Sequence, residues 1–338
     1  MPPRPRSPPG AVTRSAPHPD AVAAFANRLG KNAKHRHRWA RRQGLGAYRV
    51  YDRDLPEFPV AIDCYVAEDP AVGMRVHLQE IETGWEQSEA EHDAWLTVVR
   101  AATARVLGLP EKSIVAKARR KRRGGEQHEP TGRHGTDFVV LEAGLRFIVN
   151  LEPYLDTGLF LDHRALRAIV RERAPGRRML NLFAYTGSFT VYAAAGGAVA
   201  SQTVDLSNTY LDWAARNFAA NGIDSRKHAL IRADVLRWLD VAHDERRRYD
   251  LIVLDPPAFS TSKAMAGVLD IQRDHVDLVA SVRGLLAPGG ELYFSTNLRT
   301  FRLDPALAAD PSCTDISART LPEDFRDRRV HHAYRIAG

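Results

Sequence analysis

The stretch Met179-Leu180-Asn181-Leu182-Phe183-Ala184-Tyr185-Thr186-Gly187-Ser188-Phe189 decides the fold. Residues 179–183 read as a buried strand, and Thr186-Gly187-Ser188 is a tight turn into a helix that begins near Phe189. Gly187 lets the backbone approach a ligand closely, and the helix N-terminus behind it offers free N–H groups. A single glycine is a weak signal, since an ordinary strand-to-helix turn explains it equally well. The strands and acids on its C-terminal side give it meaning.

After Asn150 strands and helices alternate, the signature of a doubly wound α/β fold with a parallel sheet. Residues 201–204 form the next strand and end at Asp205; Ser207 is placed to N-cap a helix carrying Tyr210, Leu211, Ala214 and Phe218 on one face. His228–Arg232 and residues 251–254 are the third and fourth strands. A helix over 271–286 leads through Pro288-Gly289-Gly290 into a strand at 291–295. Residues 316–320 and 330–336 read as an edge hairpin.

In such sheets ligands bind outside the carboxyl ends of the strands, where strand order reverses. Asp205 lies 18 residues after Gly187, the separation at which an acid takes both hydroxyls of an adenosine ribose. Asp234, just past strand three, is placed to accept from an adenine amine. Either aspartate alone reads more simply as a loop cap; a glycine turn and two acids at successive strand ends are harder to obtain by chance. The most specific motif is Asp255-Pro256-Pro257-Ala258-Phe259, closing strand four. Two prolines donate no backbone hydrogen bond, so their carbonyls stay available at the strand mouth. An acid, a carbonyl and an aromatic platform suit a planar base.

Upstream the texture differs. Residues 1–20 hold seven prolines and read as a disordered tail. Residues 21–46 form a basic helical segment with Val22, Phe25, Ala26 and Leu29 at helical spacing. Residues 47–150 read as a small α+β domain: short alternating strands near 48–51, 60–66 and 75–78, an amphipathic helix over 89–107, then strands at 114–117 and 138–149. Residues 151–338 form the α/β domain.

Charge is distributed unevenly. Of 48 Lys/Arg and 41 Asp/Glu, residues 1–150 carry 24 and 18, leaving 24 and 23 for 151–338. The excess gathers in two clusters. Lys31, Lys34, Arg38, Arg41 and Arg42, with Arg36 among them, form one; Arg119, Arg120, Lys121, Arg122 and Arg123, following Lys117, form the other. One cluster alone reads as a solvated face. Two beside a nearly neutral α/β domain point to phosphate contact and an RNA partner. Cys64 and Cys313, the two cysteines, show no metal-ligand spacing, so no metal or disulfide framework is expected. No apolar run reaches the roughly 18 residues of a membrane span, and the Pro/Arg-rich start is not a signal peptide. A cytoplasmic protein is expected.

The segments FANRLGKNAKHRHRWARR, YRVYDRDLPEFPVAIDCYV, YLDTGLFLDHR, LNLFAYTGSFTVYAA, TVDLSNTYLDWAARNFAANG, DPPAFSTSK, DIQRDH, ELYFSTNLRTF and ARTLPEDFRDRRVHHAYRI run in order from Phe25 to Ile336. In these the chain resembles the RlmK half of the RlmKL family, class I S-adenosylmethionine (SAM)-dependent methyltransferases of 23S ribosomal RNA. The resemblance implies a Rossmann-like fold with a seven-stranded, mostly parallel sheet, and methylation of guanine at N7. It implies SAM contacts through Phe183, Ala184, Tyr185, Gly187, Ser188, Phe189, Asp205, Leu206, Asp234, Val235 and Asp255, with Asp162 and Arg164 of LDHR over the cofactor. Asp255, Pro256, Pro257 and Phe259 are then the groups that hold the base. The partner implied is large-subunit rRNA or an assembly intermediate. The family's other methyltransferase half and its RNA-binding THUMP domain have no counterpart in these residues.

Two other readings fit. One is exocyclic-amine methylation, at guanine N2 or adenine N6, since Asp-Pro-Pro-aromatic suits an amine as well. The other is a non-catalytic RNA-binding ribosome-assembly factor, against which Gly187, Asp205, Asp234 and Asp255 all speak. Methylation at pyrimidine C5 needs a thiolate. Relatives resembling RlmI carry it at the end of strand five, where this chain has Phe294-Ser295-Thr296-Asn297.

Overall fold

The computed structural model describes residues 17–81, 88–117, 135–152, 156–260 and 268–338. Most of the expected tail, and Arg119, Arg120, Lys121, Arg122 and Arg123, lie outside them. The chain folds as two compact units, Met1–Arg122 and Arg123–Gly338.

The first unit opens with α1 (Pro19–Gln43), which starts inside the segment expected to be tail. The physical reason is Pro19 itself, pre-set for the first helical position where its missing N–H is not needed. Gly44, in the left-handed region, ends the helix. Strands β1 (Ala47–Asp52), β2 (Val60–Val66) and β3 (Met74–Glu80) pair antiparallel. Helix α2 (Glu89–Leu107) then crosses to β4 (Ile114–Lys117), which pairs parallel to β3. A reciprocal capping box between Ser88 and Glu91 starts α2. Phe25, Leu29 and Trp39 of α1 and Trp95 and Val99 of α2 pack with Val50, Ile62, Cys64, Val76 and Leu78 of the sheet. Strand alternation sends Arg49, Asp63 and His77, neighbours in register, to the other face.

The second unit begins with the hairpin β5 (Phe138–Glu142) and β6 (Leu145–Val149), joined by Ala143-Gly144, both at positive φ as a two-residue I′ turn requires. Helix α3 (Arg164–Arg173) is next, then β7 (Arg178–Leu182), α4 (Ser188–Ala195), β8 (Ala200–Asp205), α5 (Asn208–Ala220), β9 (His228–Arg232), α6 (Val235–Asp244) and β10 (Tyr249–Leu254). Two short strands, β11 (Phe259–Ser260) and β12 (Leu269–Asp270), pair with each other ahead of α7 (Ile271–Arg283). The chain closes with β13 (Leu286–Thr296), α8 (Pro305–Ala309), β14 (Cys313–Asp315), α9 (Ser317–Thr320) and β15 (His332–Ala337). The main sheet has seven strands in the order β14-β15-β13-β10-β7-β8-β9, antiparallel only where β15 meets its neighbours. Strand order reverses between β7 and β10.

Two expectations need correction. Residues 138–149 belong with the α/β unit rather than with 47–150. Their hairpin is hydrogen-bonded to α5, where Asn221 and Asn217 accept from the amides of Arg146 and Ile148, and the Trp213 indole donates to Ile148 O. Residues 316–320 are not a hairpin strand either. The strand is Cys313–Asp315, and Ser317–Thr320 is one helical turn begun by the Asp315 carboxylate, which accepts from Ser317 N.

Candidate active site

Four adjacent strands, β10, β7, β8 and β9, carry the predicted groups at their carboxyl ends. Backbone hydrogen bonds stitch these ends together: Asp255 N to Leu182 O at 3.4 Å, Ala184 N to Val204 O at 3.1 Å, and Ala233 N to Asp205 O at 3.1 Å. The residues proposed from the sequence at these four ends therefore share one edge of the sheet, over the point where strand order reverses.

The loop after β7 is wound unusually tightly. Phe183 (φ 55°), Tyr185 (φ 52°) and Gly187 (φ 72°) all sit in the left-handed region. For the two non-glycines this costs on the order of 1–3 kcal/mol each, and the surroundings hold it in place. Asp205 Oδ2 accepts from Tyr185 N at 2.9 Å, and its Oδ1 accepts from Ser207 N at 2.8 Å. Thr186 donates its hydroxyl to Gly158 O at 2.7 Å, the Tyr185 hydroxyl accepts from Gly158 N at 2.9 Å, and Asn217 donates to Thr186 O at 3.0 Å. Ser188 is the first residue of α4, Phe189 is buried against the core, and Leu206 is half-buried next to Asp205. Gly187 is required twice, by its φ and because a Cβ there would stand 3.0 Å from Ala214 Cβ.

Asp234 is buried and N-caps α6, accepting from Leu236 N at 2.9 Å; Val235 is buried in the core. The capping role seen in the sequence for an isolated acid is thus present at Asp234, beside whatever it does for a ligand. Asp255 is only partly buried, and its Oδ1 accepts from the Ser295 hydroxyl at 2.6 Å. Pro256 is buried and Pro257 half-buried, while Phe259 stands 56% exposed, an unusual position for a phenyl ring.

The LDHR segment divides. Asp162 is buried at the start of α3. Burial alone would push its carboxyl up, but the imidazoles of His163 and His331 outweigh it and hold the group well below the usual carboxylate range. Arg164, placed over the cofactor by the resemblance, donates from Nε to Glu142 at 3.0 Å and from a terminal nitrogen to Asp324 at 2.9 Å. Fully buried Arg167 donates to the same Glu142 at 2.6 Å, and the Tyr192 hydroxyl at 2.8 Å. Burial opposes ionisation of Glu142, yet the two guanidiniums keep its carboxyl low. This network fastens the β5–β6 hairpin to α3 and α4.

Sequence reasoning passed over Gly158, Asn217 and His331. Asn217 had a readable signal: Trp213, Asn217 and Asn221 recur every four residues, so one stripe of α5 is hydrogen-bonding rather than apolar. Gly158 and His331 had none, because only tertiary structure brings Gly158 to Tyr185 and Thr186, and His331 to Asp162. Cys313 stays away from the strand mouth. Cys313 pairs in register with Ile336, which pairs with Leu292, three residues short of Ser295 and two strands out. Cys64 is buried in the first unit, which pushes its thiol up.

Against known proteins, residues 104–329 match the family of S-adenosylmethionine-dependent methyltransferases. The chain belongs to this family. The methyltransferase is 54% identical to Ribosomal RNA large subunit methyltransferase K of Neisseria meningitidis serogroup B, over 93% of this chain and 87% of that one. It is 51% identical to Ribosomal RNA large subunit methyltransferase K/L of Methylococcus capsulatus, over 92% of this chain but 42% of that protein. The methyltransferase thus spans less than half of this K/L relative. The crystal structure of SMU.776 complexed with SAH is similar at a TM-score of 0.73 and 26% identity, covering 94% of this chain and 82% of that one. SAM is the cofactor. The residues present suit it: a carboxylate at the end of β8 for a diol, a glycine turn at a helix N-terminus, and a second acid at the next strand end. Among the described residues no helix is long and apolar enough to cross a membrane.

Proposed function

We propose that this methyltransferase acts on large-subunit ribosomal RNA and transfers the methyl group to N7 of a guanine. The observation that carries the reading is the pairing at the end of β10: Asp255, oriented through one oxygen by Ser295, beside the exposed ring of Phe259. A base stacked on Phe259 would meet the free side of the Asp255 carboxylate and the Pro256 carbonyl in its own plane. SAM, when bound, supplies an activated methyl on sulfonium sulfur. Guanine N7 has no proton to remove, so the chain needs no strong general base, and its residues bind, orient and exclude water. Cys313 does not stand at the strand mouth to add to a pyrimidine ring, and strand five ends there on Ser295-Thr296-Asn297. The name of the Neisseria relative supports the choice of RNA.

Helix α1 supports RNA contact as well. Lys31, Lys34, Arg38, Arg41 and Arg42 are all exposed and fall on one face by helical spacing, opposite buried Phe25, Leu29 and Ala40. A target within folded RNA must first be exposed or flipped out of its stack.

The test is to incubate the protein with labelled SAM and unmodified large-subunit rRNA, then digest to nucleosides. Label in N7-methylguanosine is expected. Label in N2-methylguanosine or N6-methyladenosine keeps the enzyme class and overturns the position. Absence of label, with SAM still bound, turns the reading toward a non-catalytic assembly factor.

A further inference from the structure

Behind Asp255 lies a row of buried side chains, of which only Ser295 enters the reading just given. Thr320 Oγ1 of α9 is 2.9 Å from His331 Nε2, and His331 Nδ1 is 3.1 Å from Asp162 Oδ2. The same Asp162 oxygen is 3.5 Å from His163 Nε2, which is 3.9 Å from Asp255 Oδ1. Ser295 closes the row at 2.6 Å. Thr320, His331, Asp162, His163 and Ser295 are all buried. The two imidazole rings lie 5.0 Å apart, and the Phe189 ring meets His163 edge-on at 5.7 Å.

Two features of this row bear on catalysis. Among the described residues, the side-chain contacts to Asp255, from Ser295 and His163, both fall on Oδ1, so Oδ2 is the oxygen turned to a ligand. His163 Nε2 faces two carboxylate oxygens and so carries the ring hydrogen, because a bare lone pair there would repel both. Its other nitrogen, Nδ1, is buried with no hydrogen-bond partner. With no acceptor for a hydrogen on Nδ1, the tautomer protonated at Nε2 is the one this environment selects. A buried polar atom left bare in this way calls for a reason.

We propose that His163 is a positioning residue for methyl transfer: from between Asp162 and Asp255 it fixes the rotamer of the Asp255 carboxylate, with His331 and Thr320 as its backing. The inference rests on the reading that Asp255 holds the acceptor base. It makes the C-terminal segment that supplies Thr320 and His331 part of the machinery, although neither residue stands at the strand mouth.

The experiment compares wild type, His163→Leu and His163→Gln for methyl transfer to unmodified large-subunit rRNA, with SAM affinity and melting temperature measured alongside. His163→Leu is expected to lower kcat about 100-fold, the scale of a misplaced reacting group, with SAM affinity within about threefold of wild type. His163→Gln, whose amide can donate toward the same oxygens, is expected to recover about tenfold of the loss. In an Asp255→Asn background His163→Leu should cost little more. A loss that persists undiminished in that background overturns the coupling but leaves Asp255 as the base holder. A full rate for Asp255→Asn alone overturns both. Label in a nucleoside other than N7-methylguanosine overturns the N7 assignment, while the His163 ratios still decide this one. Asp162, His163 and His331 also have the donor set of a metal site; stoichiometric zinc in the purified protein, lost together with activity on chelation, would overturn the positioning role in favour of a metal.

Discussion

Asp205 reaches back across 20 residues to accept a hydrogen bond from the Tyr185 amide at 2.9 Å, so one carboxylate fixes the loop that it also serves. Its other oxygen holds Ser207 N at the start of α5.

Replacing this acid should therefore act on cofactor and loop together. Asp205→Ala is expected to weaken SAM binding by roughly 1.5–3 kcal/mol, the scale of a hydrogen bond to a charged group. Titration calorimetry checks it, and unchanged affinity would remove Asp205 from the site.

Gly158 offers a sharper structural test. A Cβ there would fall 2.2 Å from Cζ2 of the Trp213 indole, at a φ of +95° that L side chains rarely adopt. Overpacking costs about 1–3 kcal/mol, and the backbone adds about 1–2 kcal/mol. Gly158→Ala should lower the melting temperature and, because Gly158 bonds both Tyr185 and Thr186, reduce SAM affinity as well. A variant with wild-type melting and wild-type affinity would contradict this.

The first unit should carry a pH dependence of its own. Burial, then the cations of Lys117 and Arg49, push the His77 imidazole down to about 3. In the unfolded chain it takes up a proton near 6.5. Between these values the unfolded chain holds the extra proton, so stability falls as pH drops from about 6.5 toward 3, by at most roughly 1.4 kcal/mol per pH unit from this group. Above that window it contributes no slope. Urea unfolding of wild type and His77→Phe across the window should give a flatter profile for the variant; parallel profiles would count against it.

Exposed charge on α1 should act at long range. Reversing Lys31, Lys34 and Arg38 to Glu is expected to lower RNA affinity and to flatten its dependence on salt, with SAM affinity unchanged, because phosphate contacts release counterions. An unaltered salt slope would return this face to ordinary solvation.

Much of the fold was legible because its signals are local. The alternation after Asn150 marks strands and helices by period alone, and the Ser207 cap and the 89–107 helix with its Gly108 stop fall where side-chain chemistry puts them. The carboxylates at successive strand ends were legible for the same reason, since a strand end is a local event. The β5–β6 hairpin was assigned to the wrong unit because its alternation reports a half-buried strand but not what buries it. Arg164 was read from resemblance as a cofactor contact; nothing local announced that it also donates to Glu142 and Asp324, 22 and 160 residues away. No window of sequence contains such a pairing. His163 escaped notice likewise: its significance lies in what it faces.

Strand β15 is the last of the sheet to be made, yet it lies between β13 and β14. During synthesis β14 has no neighbour to pair with until β15 is made, and His331, one residue before β15, reaches Asp162 only then. The pairing most distant in sequence joins β7 to β10, where Leu251 meets Met179, whereas β15 meets β13 and β14 over shorter separations, so the far edge waits on chain order rather than on distant strand pairing. A growing chain therefore carries an open edge on β13 from the moment that strand is made until β15 fills it.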